Sequence, residues 1–240
     1  MIVNCATSDF VTGSGLHLCC LFIIGLIVLG TIILGRRVKN ESDTKLRALV
    51  AVGCLLVWIF NTSFFLMPSR FSWDQSLPLH LCNLANLVGA AAVWFGWRSF
   101  QAVLYFWSFA LSIWALLTPS LLKGPGSVEF WTFWAYHVLI YVAITFVLVV
   151  DEFRPTWRDW RVAVSATLIY SSMIALIDRF TGWGYGFVGP GAPDQPTLLD
   201  VMGPYPLRLI WMGLIATLLF TLLMFPIFFN RRRRESPPPS

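Results

Sequence analysis

Seven long apolar segments dominate this sequence, and they restrict what the chain can fold into. A helix needs about 20 apolar residues to cross the hydrocarbon core of a bilayer. The segments lie at residues 16–35, 46–67, 78–97, 100–118, 130–150, 162–180 and 205–229. They lack the two-residue alternation of a membrane barrel strand. They therefore predict seven membrane-spanning helices, because an exposed strand cannot satisfy its backbone groups in lipid.

The composition supports a membrane protein over a soluble one. Hydrophobic residues make up 57% of the chain and charged residues 12%, whereas a soluble domain carries about 25% charged residues. We predict an all-α integral membrane protein with one seven-helix domain over residues 1–230 and a basic, proline-rich tail over 231–240. The net charge of +5 does not indicate nucleic-acid binding, because the basic residues form short runs at the ends of apolar segments.

The distribution of basic residues predicts the topology, since cytoplasmic loops carry an excess of Lys and Arg. An outward N-terminus leaves four basic residues on the outer side, namely Arg70, Lys123, Arg179 and Arg208. The others then fall on the cytoplasmic side: Arg36, Arg37, Lys39, Lys45, Arg47, Arg98, Arg154, Arg158, Arg161 and Arg231 to Arg234. We therefore predict an outward N-terminus and a cytoplasmic C-terminal tail.

Polar residues within or beside the apolar segments concentrate, in this topology, in the outer half of the membrane. Such groups are costly in a bilayer and usually face the bundle interior or a wet cavity. They include Asn61, His80, Cys82, Asn83, Asn86, Thr118, His137, Asp178 and Asp200. The pattern predicts one polar cavity that opens toward the outer face. A transporter would need polar groups that continue to the inner face, and the sequence has few.

The stretch SLPLHLCNLANL, residues 76–87, places a thiol at the outer end of the third segment. His80 and Cys82 are two residues apart, so an ideal helix would turn them to different faces. Either Pro78 keeps His80 in an irregular first turn, or the histidine that contacts Cys82 comes from another helix. His137 in the fifth segment is the candidate. An imidazole that accepts the thiol proton makes cysteine a nucleophile.

Structural roles for these residues remain as alternatives. Cysteine in a membrane helix also serves as a small packing residue, and histidine as an interhelical hydrogen-bonding group. A zinc site from His80, Cys82 and His137 has suitable ligand types, but the spacing matches no familiar zinc pattern. We predict neither a metal nor a cofactor. Supporting or substrate-binding roles are predicted for His80, Asn61, Asn83, Asn86, Thr118 and Asp200.

Four segments resemble the bacterial YwaF family of membrane proteins, which is similar to eukaryotic transmembrane protein 164. They are LPLHLCNLANL at 77–87, LLTPSL at 116–121, FWTFWAYHVLIYV at 130–142 and PTLLDVMGPYP at 196–206. The eukaryotic relatives are described as cysteine-dependent acyltransferases that act on ether phospholipids. The resemblance implies that Cys82 is the nucleophile and His137 the base. It also implies a phospholipid or acyl-lipid substrate and a location in the bacterial cytoplasmic membrane.

Together these observations predict a membrane-embedded, cysteine-dependent lipid acyltransferase or acyl hydrolase. Its site would lie in a cavity in the outer half of the bilayer. A small-solute transporter and a ligand-binding or sensor protein that uses the same cavity are the alternatives.

Overall fold

The computed structural model describes residues 9–38, 44–189 and 201–225, and helices form most of these ranges. The helices are α1 (Gly15–Val38), α2 (Thr44–Phe65), α3 (Leu81–Phe95), α4 (Arg98–Leu117), α5 (Val128–Val149), α6 (Trp157–Thr181) and α7 (Leu207–Leu222). Each coincides with one of the predicted apolar segments. An isolated bridge between Asp9 and Lys123 is the β-structure in the described ranges, so the all-α prediction is confirmed.

Five of the described helices are long and apolar enough to cross a membrane, namely α1, α2, α4, α5 and α6. Helices α3 and α7 have 15 and 16 residues, so at about 1.5 Å per residue they are shorter than the roughly 30 Å hydrocarbon core. The third segment was predicted to begin at residue 78, but its helix begins at Leu81. The seven-span count and the orientation of the termini stay predictions, and the tail at 231–240 lies outside the described residues.

Helices α3, α4 and α5 form the centre of the bundle. In the most apolar stretches of α4 and α5, 61% of the residues are buried, compared with 11% in α1 and 17% in α6. Helix α5 contacts α1, α2, α3 and α4, while α3 also packs on α2 and α4. The exposed faces of α1, α2, α6 and α7 carry large apolar side chains. These faces are suited to contact with lipid tails.

Small residues allow the central helices to approach closely, as is common where helices pack in lipid. A Cβ atom on Gly89 of α3 would lie 3.3 Å from the Cβ atom of Ala143 on α5. Cys54 of α2 is fully buried beside the same contact, and its thiol lies 3.7 Å from the Leu139 carbonyl. Cys54 therefore has the packing role predicted for a cysteine in a membrane helix.

One end of the bundle, where α2, α4 and α6 begin and α3 and α5 finish, is joined by ion pairs. Arg47 is 2.5 Å from the Asp151 carboxylate, and the Gln101 side-chain amide donates to Asp151 at 2.8 Å. Arg98 contacts Asp159 through two nitrogens at 3.0 and 2.7 Å. These pairs link the beginnings of α2, α4 and α6 with the segment after α5. We call this region the Arg47 end.

Candidate functional site

The opposite end of the bundle contains Cys82 in the first turn of α3, and we call it the Cys82 end. Here α2, α4 and α6 finish while α3 and α5 begin. The Cys82 thiol is partly buried and lies 3.7 Å from the hydroxyl oxygen of Ser112 on α4. The sulfur therefore faces a polar group of the central helices.

Ser112 lies at the end of an irregular part of α4. The helix is α-helical over Arg98–Phe106, π-helical over Trp107–Ser112 and α-helical again over Ile113–Leu117. Single π-helical turns within α-helices occur frequently at functional sites. Ser112 is fully buried and was not among the predicted site residues. The available signal was a pair of serines, Ser108 and Ser112, four residues apart on one face of an apolar helix.

Three predicted asparagines come together beside Cys82. The side-chain oxygen of Asn83 accepts from the Tyr136 hydroxyl and from the Asn61 amide, the latter at 3.5 Å. The Asn86 amide donates to the Tyr136 carbonyl at 3.1 Å and to the Cys82 carbonyl at 3.4 Å. These bonds connect α2, α3 and α5. Tyr136 was missed in the sequence, although it directly precedes His137.

Asn86 has one buried atom without a partner. One of the two terminal atoms of the side chain lies next to two carbonyl oxygens. Because a carbonyl oxygen only accepts hydrogen bonds, this atom is the NH₂ group. The other atom, Oδ1, has no hydrogen-bond partner among the described residues, and the side chain is fully buried. An unsatisfied buried acceptor costs about 1–3 kcal/mol. Such an atom is suited to accept a bond from a ligand hydroxyl.

His137 lies on α5, one residue beyond Tyr136, and is 4% exposed. Its Nδ1 atom is 2.7 Å from the Phe133 carbonyl. Because a carbonyl only accepts, Nδ1 carries the proton and Nε2 carries the lone pair. Nε2 is buried and has no partner in the described ranges. The side chain thus has the tautomer of a general base, although no hydrogen bond between described residues joins it to Cys82.

His80 contacts the turn after α6, and no hydrogen bond between described residues joins it to Cys82. It precedes α3 with an extended backbone, φ −65° and ψ 146°, so it lies in an irregular entry to the helix. Its Nδ1 accepts weakly from the Gly186 amide at 3.4 Å, and its ring centroid is 5.0 Å from that of Tyr185. His80 therefore contacts the connection that follows α6.

A short turn after α6, Tyr185–Phe187, holds the residues that lead into α3. The buried Tyr185 hydroxyl accepts from the Leu77 amide at 2.9 Å and donates to the Trp73 carbonyl at 2.8 Å. The Tyr185 amide donates to Asp178 on α6 at 3.2 Å. These three bonds position the connection between α2 and α3 over the Cys82 end.

Gly186 is required within this turn. Its φ is +59°, and a Cβ atom there would lie 2.7 Å from the Tyr170 hydroxyl. That hydroxyl donates to the Leu79 carbonyl at 2.9 Å. The glycine thus permits a close contact between the turn, α6 and the entry to α3.

One further predicted site residue, Thr118, bonds within its own helix and not to this cluster. The Thr118 hydroxyl donates to the Trp114 carbonyl of its own helix at 3.1 Å. Asp200 lies outside the described residues. Within the described ranges, no group of three or more His, Cys, Asp or Glu residues is arranged to hold a metal ion.

Apolar helices around a hydrogen-bonded polar centre define an integral membrane protein. The family model of the TMEM164 family matches residues 12–224, so the chain belongs to that family. This confirms the predicted similarity to transmembrane protein 164, and the match includes both Cys82 and His137. No curated protein and no solved structure matches this chain.

Proposed function

We propose that this protein is a cysteine-dependent enzyme that transfers or hydrolyses the acyl group of a membrane lipid. The observation that carries the proposal is the polar cluster around Cys82, with Ser112 3.7 Å from its sulfur. On the neighbouring helix α5, His137 Nε2 has no hydrogen-bond partner among the described residues. The acyltransferase chemistry that the family resemblance implies is consistent with these groups.

The first half-reaction forms a thioester. His137 Nε2 accepts the Cys82 thiol proton, and the sulfur attacks the ester carbonyl carbon of the lipid. A carbon–sulfur bond forms, the carbon–oxygen bond breaks, and the leaving alcohol takes the proton from His137. This step requires Nε2 and the sulfur to approach each other as the substrate binds.

The second half-reaction regenerates the thiol. A hydroxyl from a lysolipid or water attacks the thioester carbon and gives its proton to His137 Nε2. The carbon–sulfur bond breaks, and the sulfur recovers the proton. A lysolipid acceptor makes the protein a transferase, while water makes it a hydrolase.

The position of Cys82 in the first turn of α3 assists this chemistry. The first amides of a helix have no carbonyl partner within it, and they carry partial positive charge. The Cys82 amide therefore lies close to where an oxyanion would develop during attack by its own sulfur. We assign supporting or substrate-binding roles to Asn61, Asn83, Asn86, His80, Thr118 and Asp200.

The proposed setting follows from the sequence topology. The protein would be one seven-span domain with its N-terminus outside, in the bacterial cytoplasmic membrane. The Cys82 end would then lie in the outer half of the bilayer, with the acyl chain in lipid and the ester group at the cysteine.

The test is formation of an acyl thioester on the purified protein in nanodiscs that contain an isotopically labelled phospholipid. We expect an acyl adduct on the Cys82 peptide that hydroxylamine releases. The Cys82→Ala variant should lose acyl transfer by roughly a thousandfold or more. Cys54→Ala is the matched control, since Cys54 is a buried thiol on the adjacent helix, and it should retain activity.

Two results would reject the proposal. One is acyl transfer that continues unchanged in the Cys82→Ala variant. The other is a stoichiometrically bound lipid that never reacts and leaves the Cys82 thiol free. That second result would favour a ligand-binding or sensor protein.

A further inference from the structure

Ser112 differs from several other hydroxyl residues of the described helices. In six of these residues the hydroxyl donates to the carbonyl four residues earlier. Residues with this bond are Thr31, Ser108, Thr167, Thr181, Thr217 and Thr221. Ser112 makes no such bond in the described structure, and its hydroxyl oxygen contacts the Cys82 sulfur.

The structure provides a physical reason for this difference. The carbonyl four residues before Ser112 belongs to Ser108, and it accepts from the Tyr141 hydroxyl at 3.0 Å. The intervening residues Trp107–Ser112 form the π-helical part of α4, which shifts the spacing of carbonyls and side chains by one residue. The carbonyl that would otherwise accept from the Ser112 hydroxyl is thus occupied by Tyr141.

We propose that Ser112 is a positioning residue that stabilises the thiolate of Cys82, and that Tyr141 keeps the Ser112 hydroxyl available for this role. In the thiol form, the S–H group donates to the serine oxygen. After the proton has left, the serine O–H rotates and donates to the sulfur anion. The catalytic consequence rests on the proposed function, but the effect on thiol ionisation does not.

Burial makes this bond effective. Ser112 has no exposed surface, so water does not compete for its hydroxyl proton. Hydrogen bonds to ions are about twice as strong as those between neutral groups, and a low local dielectric strengthens them further. A single serine can therefore alter the ionisation of the neighbouring thiol.

The experiment measures alkylation of Cys82 by iodoacetamide as a function of pH, using full-length protein in phosphatidylcholine nanodiscs. Peptide mass spectrometry follows Cys82 separately from the other cysteines. We expect Ser112→Ala to slow alkylation about tenfold at neutral pH, equivalent to a rise of about one unit in the pH of half-maximal reaction. Tyr141→Phe should shift the profile in the same direction, because Ser112 can then bond to the Ser108 carbonyl.

Ser108→Ala is the matched control. It removes a buried hydroxyl from the same π-helical segment, but that hydroxyl donates to Leu104 at 2.6 Å and not to Cys82. Its alkylation profile should coincide with that of the parent protein. A Ser112→Ala profile that coincides with the parent would overturn the proposal, as would an equal shift in Ser108→Ala. If Ser112→Ala does not fold, Tyr141→Phe supplies the test, because it retains the serine. An unshifted alkylation profile in Tyr141→Phe would then overturn the proposal.

The readout separates this inference from the proposed function, because alkylation requires no lipid substrate. A Ser112-dependent profile without any acyl transfer would reject the enzyme and retain the serine–cysteine coupling. Acyl transfer that depends on Cys82, together with an alkylation profile that does not depend on Ser112, would retain the enzyme and reject the serine–cysteine coupling.

Discussion

The two ends of the helix bundle use polar groups in different ways. At the Arg47 end, Asp151 and Asp159 are both paired with arginines at 2.5–3.0 Å. The Cys82 end also has charged groups, since Glu129 pairs with Arg70 at 2.6 Å and Asp178 accepts from the Tyr185 amide, but the groups beside Cys82 are uncharged amides, hydroxyls and imidazole. Two of their buried atoms, Asn86 Oδ1 and His137 Nε2, have no partner within the described ranges.

The difference separates an end that ion pairs hold together from an end where buried acceptors lack partners among the described residues. Paired charges between helices hold the helices in place, and breaking one pair leaves a charge without compensation. Buried acceptors without a partner among the described residues lower stability, since burial removes their hydrogen bonds to water. Their position beside Cys82 supports the proposed substrate site. Four variants sharpen or break this comparison.

His137→Ala should produce the largest effect. Loss of the proposed base should lower acyl transfer about 10²- to 10⁴-fold, measured by the release of labelled fatty acid or acyl lipid. His80→Ala is the control, because its ring faces the Tyr185–Phe187 turn, and we expect a much smaller decrease. Full activity in His137→Ala together with no activity in His80→Ala would show that His80, and not His137, is the base.

Asp151→Asn should affect stability and leave the chemistry unchanged. The substitution removes the carboxylate that Arg47 and Gln101 contact, so we expect the free energy of unfolding to fall by about 2–3 kcal/mol. Denaturant unfolding in detergent measures this change, and the pH profile of Cys82 alkylation should not move. Glu129→Gln weakens the more exposed ion pair with Arg70, 2.6 Å apart, and should cost at most about 1 kcal/mol. An equal loss in both variants would show that the Arg47 end is not specially stabilised.

Gly186→Ala tests the turn above Cys82. A new Cβ atom would meet the Tyr170 hydroxyl at 2.7 Å and disturb its bond to Leu79. Gly182→Ala is the matched control, because its φ of +76° is similarly left-handed but nothing lies within 4 Å of the added atom. Both variants should lose about 1–2 kcal/mol from backbone strain. Faster alkylation of Cys82 is expected only in Gly186→Ala. The same increase in both variants would show that the turn does not restrict access to Cys82.

Tyr136→Phe should have the smallest effect. It removes the hydroxyl that donates to Asn83 but keeps the carbonyl that accepts from Asn86. We expect a stability loss of about 1 kcal/mol, measured by denaturant unfolding. Acyl transfer should fall by less than in His137→Ala. A larger fall would place the Tyr136 hydroxyl in the reaction itself.

The sequence predicted much of the candidate cluster from helix direction alone. Successive helices run in opposite directions, so Asn61 near the end of α2 and Asn83 near the start of α3 were expected at the same depth. Their hydrogen bond agrees with that expectation. Depth along a helix follows from residue number, because each residue advances about 1.5 Å.

Rotation about each helix axis was not predictable in the same way. Ser112, Tyr136 and Tyr141 each form a bond across helices, and their partners depend on which face each helix turns inward. The π-helical segment adds a shift in register that no residue pattern in the sequence predicted. For the same reason the sequence could not show that Thr118 bonds to its own helix and that His80 faces the turn after α6.

The sequence by itself determined that this is an all-α membrane protein, because long apolar runs must form helices in lipid. Its sequence match over residues 12–224 also determined that it belongs to the TMEM164 family. The sequence also predicted that Asn61, Asn83 and Asn86 lie at the same end of the bundle as Cys82. Only the tertiary structure decided which of them meet. Contacts such as Cys82 with Ser112 depend on helix rotation, the π-helical register and the occupied Ser108 carbonyl, and these arise only when the helices pack together.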